Sequence, residues 1–454
     1  MRSEKNMEYK IEKYLEEGLL LLSKLISYKT VLDHFDPKKD APFGEENKHA
    51  LKFILEYAKK DGFLVLNEKN YAGHIEFGKG KEILGILAHL DVVPVEGQTW
   101  NTNPFILHIE DGKLIGRGAM DDKGPLVAAY LAMKILKEQG FVPNKKVRLI
   151  MGCDEESGSR CLQQYFKAHE LPEFGFSPDA EFPLIYGEKS HMTYNFLGTL
   201  EETEIILDFE CGNRYNVVPA MAKMRISRDL KQEYLSFLEK KNYRGTIEGE
   251  TYIAYGIASH AMVPHKGLNA GFILFEFLQE VYPTKLSEFF TKYLTFDPFG
   301  KKLDYAFYDE EMKELTSNVG LIQIKDKKFK IGIDCRIPKE SLENVVAEKI
   351  KIAADAYHYE TEILSTGGFH YVDPKGFLVS TLMKVYQEVT KDTATQPMTI
   401  GGGTYAKFIK NAVAYGPMLP GREDVCHIAN EYMLLEDFKQ AILIYAKAIY
   451  ELTK

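Results

Sequence analysis

The sequence predicts an α/β fold in which one domain is split by an inserted α+β domain. Three observations predict it. Apolar or glycine-led runs alternate with helical patterns through residue 187. From about residue 188 the pattern becomes strand, helix, strand, strand, as in an antiparallel sheet carrying helices. After about residue 374 the earlier alternation returns. At 454 residues the chain exceeds what one core usually holds. The predicted divisions are therefore 1–187 and 374–454 for the split domain and 188–373 for the insert.

In chain order, Ile11, Leu15, Leu19, Leu22, Leu25 and Ile26 recur at helical spacing and predict a helix over 8–27. A loop at 33–45 leads to a second helix near 46–60, stopped by Asp61-Gly62. Strands are expected at 63–66 and 73–77, then in the apolar run from Ile83 to Ala88 that ends in His89. Residues 94–112 read as a loop around Trp100, the sole tryptophan, which is expected to pack on its own scaffold. Gly116-Arg-Gly-Ala-Met-Asp-Asp-Lys-Gly124 opens a helix over 125–139. A strand at 146–152 delivers Asp154-Glu155-Glu156, a helix runs to about 169, and a short strand at 175–177 ends before Asp179. In the insert, strands are expected at 192–198, 204–210, 221–226, 317–325, 328–335 and 359–365, with helices near 229–240, 270–281 and 342–358. The aromatic-rich stretch 283–309 carries no assigned element. The final part holds helices near 375–390 and 434–451 and a strand at 412–415.

Bulk composition narrows the function classes. A formal charge of −9, with no dense Lys/Arg block, argues against a nucleic-acid binder. The N-terminal residues show no secretory pattern, and the apolar stretch 18–22 is far too short to span a bilayer. Five cysteines, odd in number and without a C-x-x-C pair, fit a reducing compartment, so a cytoplasmic protein without membrane or nucleic-acid partners is expected.

The chemistry-bearing residues fall where such a fold places sites. In open α/β sheets ligands bind beyond the carboxyl ends of the strands. His89, Asp121, Glu155/Glu156 and Asp179 all follow apolar or glycine-led segments, and His427 joins them from 421–431. Histidines and carboxylates delivered by loops suit a hard-to-borderline dication, and none of the cysteines is needed as a ligand. Asp91, two residues beyond His89, could hold its ring. Spacing alone leaves the division of roles between Glu155 and Glu156 open. Gly401–Thr404 lacks the lysine of a phosphate loop.

Taken together, His89-Leu-Asp91-Val-Val-Pro, Gly116-Arg-Gly-Ala-Met-Asp121-Asp-Lys-Gly, Asp154-Glu155-Glu156-Ser-Gly, Ser177-Pro-Asp179-Ala-Glu-Phe-Pro and Cys426-His427-Ile-Ala-Asn-Glu431 resemble metallopeptidase family M20, and within it the bacterial PepV-type dipeptidases, also called Xaa-His dipeptidases or carnosinases. The resemblance covers nearly the whole chain. It implies a mixed-sheet zinc-peptidase domain of the phosphorylase/hydrolase-like kind and an inserted lid with ferredoxin-like halves. It further implies two divalent cations per chain, Zn²⁺ with Mn²⁺ or Co²⁺ as alternatives. By resemblance His89 and Asp179 hold one, Glu156 and His427 the other, and Asp121 bridges them. Asp91 then orients His89, and Glu155 is the general base acting on a metal-bridging water. A non-proline cis peptide is implied at Asp121–Asp122. From the insert, His260 would stabilise the oxyanion, and Asn216 and Arg336 would hold the substrate, Arg336 as a fork for a free carboxylate. Gly402 and Thr404 are further candidate substrate contacts. The partner is then a small peptide, and a monomer is expected.

The function that follows is hydrolysis of unsubstituted L-dipeptides of broad sequence, with β-alanyl-histidine a candidate. An N-acyl-amino-acid or succinyl-diaminopimelate amidohydrolase of the same family is the alternative. A binding protein without activity is disfavoured because every ligand type and the base are present.

Overall fold

A computed structural model describes residues 9–32 and 34–454; Glu8, the first residue of the expected N-terminal helix, and Asp33 of the following loop lie outside them. The chain divides into two compact units, one of residues 1–187, 370–398 and 404–454, the other of 188–369 and 399–403.

The first unit is built on a mixed sheet. Its strands run in the order Leu64–Glu68, Ala72–Phe77, Lys146–Gly152, Ile83–His89, Phe174–Ser177 and Ala412–Ala414, with Ile185–Glu188 and His370–Tyr371 beyond. Ile83–His89 lies parallel to both Lys146–Gly152 and Phe174–Ser177, and Ala412–Ala414 is parallel to the latter. These central strands are buried almost throughout, as near-continuous apolar runs require in a sheet covered on both faces. The helix Lys123–Glu138 is buried from Lys123 to Leu136 because the helices Glu12–Ser27 and Leu435–Thr453 pack against it. The helices Glu45–Lys60 and Arg160–Ala168 pack on Ala72–Phe77.

The second unit is an antiparallel sheet in the order Arg244–Glu248, Thr251–Tyr255, Met221–Ile226, Ile206–Cys211, Thr316–Lys325, Lys328–Ile337, Ser190–Thr199 and Glu360–Gly367. Strict alternation of exposed and buried residues along Met221–Ile226 shows a sheet with one wet face. Phe275 and Phe290 stack 3.6 Å apart between the helices Ala270–Val281 and Lys285–Tyr293. The last four strands in that order, with the helix Glu343–Asp355, have the ferredoxin-like arrangement. The first four differ, because Arg244–Glu248 and Thr251–Tyr255 pair as a hairpin at the sheet's edge.

Four expectations need correction. The stretch 283–309 contains the helix Lys285–Tyr293, opened by a capping box between Thr284 and Ser287. Residues 94–112 are not all loop, since His108–Glu110 pairs with Lys113–Ile115 across Asp111-Gly112, both at positive φ as a type I′ turn requires. The chain rejoins the first unit at His370 rather than 374, where Val372 N–H bonds to the Tyr186 carbonyl at 2.8 Å. Residues 399–403 belong to the second unit, held there by Thr399 Oγ1 on the Glu311 carbonyl (2.7 Å) and by Lys189 N–H on the Ile400 carbonyl (3.0 Å).

Candidate metal centre

The parallel strands bring the first unit's acidic loops together at their carboxyl ends. His89 pairs in register with Gly152, so the turn after each strand starts at the same level. His89 Nδ1 lies 2.9 Å from the backbone carbonyl of Asp91. A carbonyl only accepts, so Nδ1 carries the proton and Nε2 keeps its lone pair. Nε2 stands 2.9 Å from Asp121 Oδ1 and 3.6 Å from Asp179 Oδ2. Both His89 Nε2 and Asp121 Oδ1 are buried without a hydrogen-bond partner. Two acceptors buried face to face are unfavourable unless a metal ion or a proton lies between them. Burial lowers the pKa of His89, but Asp179, Asp121 and Asp91 raise it well above 6.5. A proton thus serves in the metal-free protein, and a metal ion can replace it. The residues therefore fit a metal.

Asp121 enters from the turn Gly116–Lys123, where Gly118 takes φ +88° and the Asp121–Asp122 peptide is cis. Its second oxygen lies 2.9 Å from His427 Nε2, which is 3.1 Å from Glu156 Oε1. Among the described residues, two groups could hold an ion: His89, Asp121 and Asp179, and Asp121, Glu156 and His427. Asp121 belongs to both. All the donors are nitrogen or oxygen, which suits Zn²⁺ and its harder neighbours.

The strand Lys146–Gly152 hands over to a loop held by Asp91. The Asp91 carboxylate accepts the backbone N–H of Glu155 through Oδ1 and that of Glu156 through Oδ2, both at 3.0 Å. Asp91 thus meets His89 Nδ1 through its backbone carbonyl, with its Oδ1 3.5 Å from the same nitrogen, and its side chain also shapes the Glu155–Glu156 turn. Consecutive residues then point apart. Glu156 joins the second triad, and Glu155 is in neither. Beneath them Tyr405 is fully buried, its hydroxyl 2.8 Å from Cys161 Sγ and its ring edge-on to His89.

Burial and crowding of like charge raise the acids of the centre. The carboxyl of Glu156 rises to about 7, through burial and then the charge of Asp121. Burial raises Asp179, with Asp121 adding to it, and burial followed by Asp179 raises Glu155, opposed by His89 and Lys407. Asp121 alone is held low: burial would raise it, but His427 and His89 on either side outweigh that. His427 rises to about 11, because Asp121 and Glu156 overcome the effect of burial.

Of the remaining predicted residues, all but Thr404 belong to the second unit. In the second unit His260 pairs with Val217, and Ala261 N–H donates to the Asn216 carbonyl at 2.9 Å, so Asn216 and His260 are neighbours. His260 Nδ1 accepts from Met262 N–H at 3.2 Å, which places the proton of the neutral ring on Nε2. Arg336 is forked by Asp334, with Nε to Oδ1 at 2.7 Å and Nη2 to Oδ2 at 3.0 Å, and its Nη1 donates to the Gly401 carbonyl at 3.2 Å. Three of its five donors are thus engaged within the unit. Gly402 is grouped with Arg336, whereas Thr404 belongs to the first unit, where its side chain caps the 3₁₀ turn Tyr405–Phe408 by accepting from Ala406 N–H. Trp100 packs on the guanidinium of Arg117, and all five cysteines are free thiols, Cys153 buried and Cys426 partly so. Gln98, Arg117 and Lys407 lie at the centre without having been singled out.

A mixed α/β sheet with a His/Asp/Glu centre at its strand ends, interrupted by an antiparallel unit, defines a metallopeptidase-type hydrolase. The profile of "Peptidase family M20/M25/M40" matches residues 85–451, and the chain belongs to that family. A protein of Bacillus subtilis (strain 168), "Putative dipeptidase YtjP", is 36% identical over 99% of this chain and 100% of its own length. The fold is also that of the yeast di-peptidase Dug1p from Saccharomyces cerevisiae (TM-score 0.60, 16% identity, 97% of each chain). Human carnosine dipeptidase 1 shares it as well, with a TM-score of 0.59 and 14% identity over 97% of this chain and 98% of that one. No helix among the described residues is long and apolar enough to cross a membrane.

Proposed function

We propose that this chain is a dinuclear metal-dependent dipeptidase that hydrolyses unsubstituted L-dipeptides of broad sequence, as a monomer. The observation that carries the reading is the sharing of Asp121 between two triads, one oxygen toward each histidine. The name of the Bacillus relative supports the choice of dipeptides. His89, Asp121 and Asp179 would hold one divalent cation, and Asp121, Glu156 and His427 the other, Zn²⁺ suiting the donor set and Mn²⁺ or Co²⁺ being the alternatives. When bound, such cations supply acidity to a water and positive charge for a developing oxyanion.

Glu155 is the base. It stands outside both triads, and burial beside Asp179 raises its carboxyl, so it can take a proton from the attacking water and return it to the leaving amine. His260 presents an Nε2–H, the donor an oxyanion needs. Asn216, Arg336, Gly402 and Thr404 are read as substrate contacts, and Arg336 is rigid enough for that through Asp334.

The test is hydrolysis by the metal-stripped protein refilled with Zn²⁺, Mn²⁺ or Co²⁺. L-Ala-L-Ala, L-Leu-L-Leu, β-alanyl-L-histidine, a tripeptide and an N-acyl amino acid form the panel. Metal-dependent release of amino acids from dipeptides is expected. Turnover of the acylated substrate alone would overturn the dipeptidase reading.

A further inference from the structure

Arg117 and Glu431 sit in the motifs of the centre, yet neither belongs to a triad. Both are almost completely buried. Glu431 Oε1 accepts three backbone N–H groups, from Gly118 at 3.1 Å, Met120 at 2.9 Å and Asp121 at 3.1 Å. The last is the amide of the shared ligand itself. Glu431 Oε2 takes Arg117 Nη1 at 2.5 Å. Arg117 Nη2 continues to Gln98 Oε1 at 2.7 Å, and Gln98 Nε2 donates to the His427 carbonyl at 2.8 Å. Gln98 Oε1 also accepts from Trp100 Nε1 at 3.1 Å. Two donors at one end and an acceptor at the other fix the orientation of that amide.

A continuous relay therefore runs from the backbone of Asp121 to the backbone of His427. His427 needs such support, since its φ of +65° is a conformation that costs a residue with a Cβ. A second tie joins the same loops, from Asn101 N–H to Asn430 Oδ1 at 2.8 Å. The His89 side is held by other groups: the Asp91 carbonyl on Nδ1, and Asp122 Oδ2 on the His89 backbone N–H at 3.0 Å.

The geometry points to Gln98, Arg117 and Glu431 as positioning residues that set the separation of Asp121 and His427, and so the affinity of the one ion position these two share with Glu156. This rests on the two-ion reading. The relay ends on His427 and not on His89, so loosening it at Gln98 disturbs one position and spares the other.

The experiment is titration of the metal-free protein with Co²⁺ alone, followed by calorimetry and visible absorption, for the unmodified chain and for Gln98→Ala. Gln98 is only partly buried and its removal leaves the core untouched. In the unmodified chain two binding events are expected. In Gln98→Ala one of them weakens about 10–100-fold, as loss of a residue supporting a ligand typically does, while the other and the metal-free Tm are retained. Arg117→Lys keeps the charge but cannot span Glu431 and Gln98 together, and moves the same event in the same direction. Two events unchanged in Gln98→Ala, or both weakened alike with a fall in metal-free Tm, overturn the positioning role alone. A single event in the unmodified chain overturns the two-ion reading, and this inference with it.

Discussion

Asp91 Oδ1 accepts the backbone N–H of Glu155 at 3.0 Å, so the residue two places beyond His89 also sets the turn that carries the proposed base. Its other oxygen does the same for Glu156, and the two carboxylates are thereby aimed apart. Asp91→Asn replaces one acceptor by an NH₂ group facing a backbone N–H. Dipeptide hydrolysis should fall about 10–100-fold. Steady-state kinetics of the metal-loaded variant check this, and an unchanged kcat would show that the turn holds its shape unaided.

Glu155 and Glu156 are neighbours with separable consequences. Glu155→Gln should lower kcat about 10²–10⁴-fold and still bind both ions, since Glu155 lies in neither triad. Glu156→Gln should instead lose the ion shared with His427 and Asp121. Metal content after dialysis, read alongside kcat, distinguishes them. Loss of an ion from Glu155→Gln would exchange the two roles.

Much of this centre was legible in the sequence, for a physical reason. An apolar run such as Ile83–Ala88 must be buried, and a polar residue at its end must then lie at the sheet's edge. What could not be read are contacts that no local pattern encodes. Gln98 and His427 are 329 positions apart, and nothing around Gln98 marks it as a partner. That the Thr404 side chain caps the short turn Tyr405–Phe408 is likewise invisible in a stretch that reads only as glycine-rich. The helix Lys285–Tyr293 did have a signal, Thr284 with Ser287 three residues on, obscured by the aromatic residues around it.

Removing metal should cost stability and move protons. Without cations the carboxylates of Asp121, Glu156 and Asp179 repel one another, so added Zn²⁺ should raise Tm in a concentration-dependent way. His427, pushed up to about 11, is protonated at pH 7 in the metal-free state and must lose that proton to become a ligand. Binding should therefore release about one proton through His427, seen as a calorimetric enthalpy that varies with the buffer. Because its folded pKa is raised above the ordinary 6.5, the stability it contributes to the metal-free protein is present below 6.5 and lost as pH rises toward 11. A metal-free Tm independent of alkaline pH would contradict this.

Gly152 closes the strand before the acidic turn. A Cβ there would meet the Tyr405 hydroxyl at 2.2 Å, and Tyr405 has no room to retreat because it is fully buried. Gly152→Ala should cost about 1–3 kcal/mol by overpacking. It should also displace Tyr405 from beside His89, lowering activity more than Gly97→Ala, whose cost is the backbone strain of a φ of +78° alone, since no atom there lies within 4 Å of the added Cβ. Denaturant unfolding and kinetics of the two variants compare the effects.

The acid side of the stability curve should carry the mark of His74, away from the metal centre. Its Nδ1 lies 2.6 Å from the Tyr165 hydroxyl, and it is buried with Arg148, His169 and Lys146 nearby. Burial first, and then these positive charges, lower its pKa from 6.5 to about 3. The folded protein thus holds His74 neutral where the unfolded chain would protonate it. The stability involved is present above pH 6.5 and is lost as pH falls toward 3. His74→Gln removes the titrating group, so the difference in Tm between variant and unmodified chain, both metal-free, should shrink or reverse as pH drops from 7 to 4. The carboxylates are common to both proteins and cancel in that difference. A gap that stays constant over the whole range would mean that His74 is protonated in the folded state as readily as in the unfolded one.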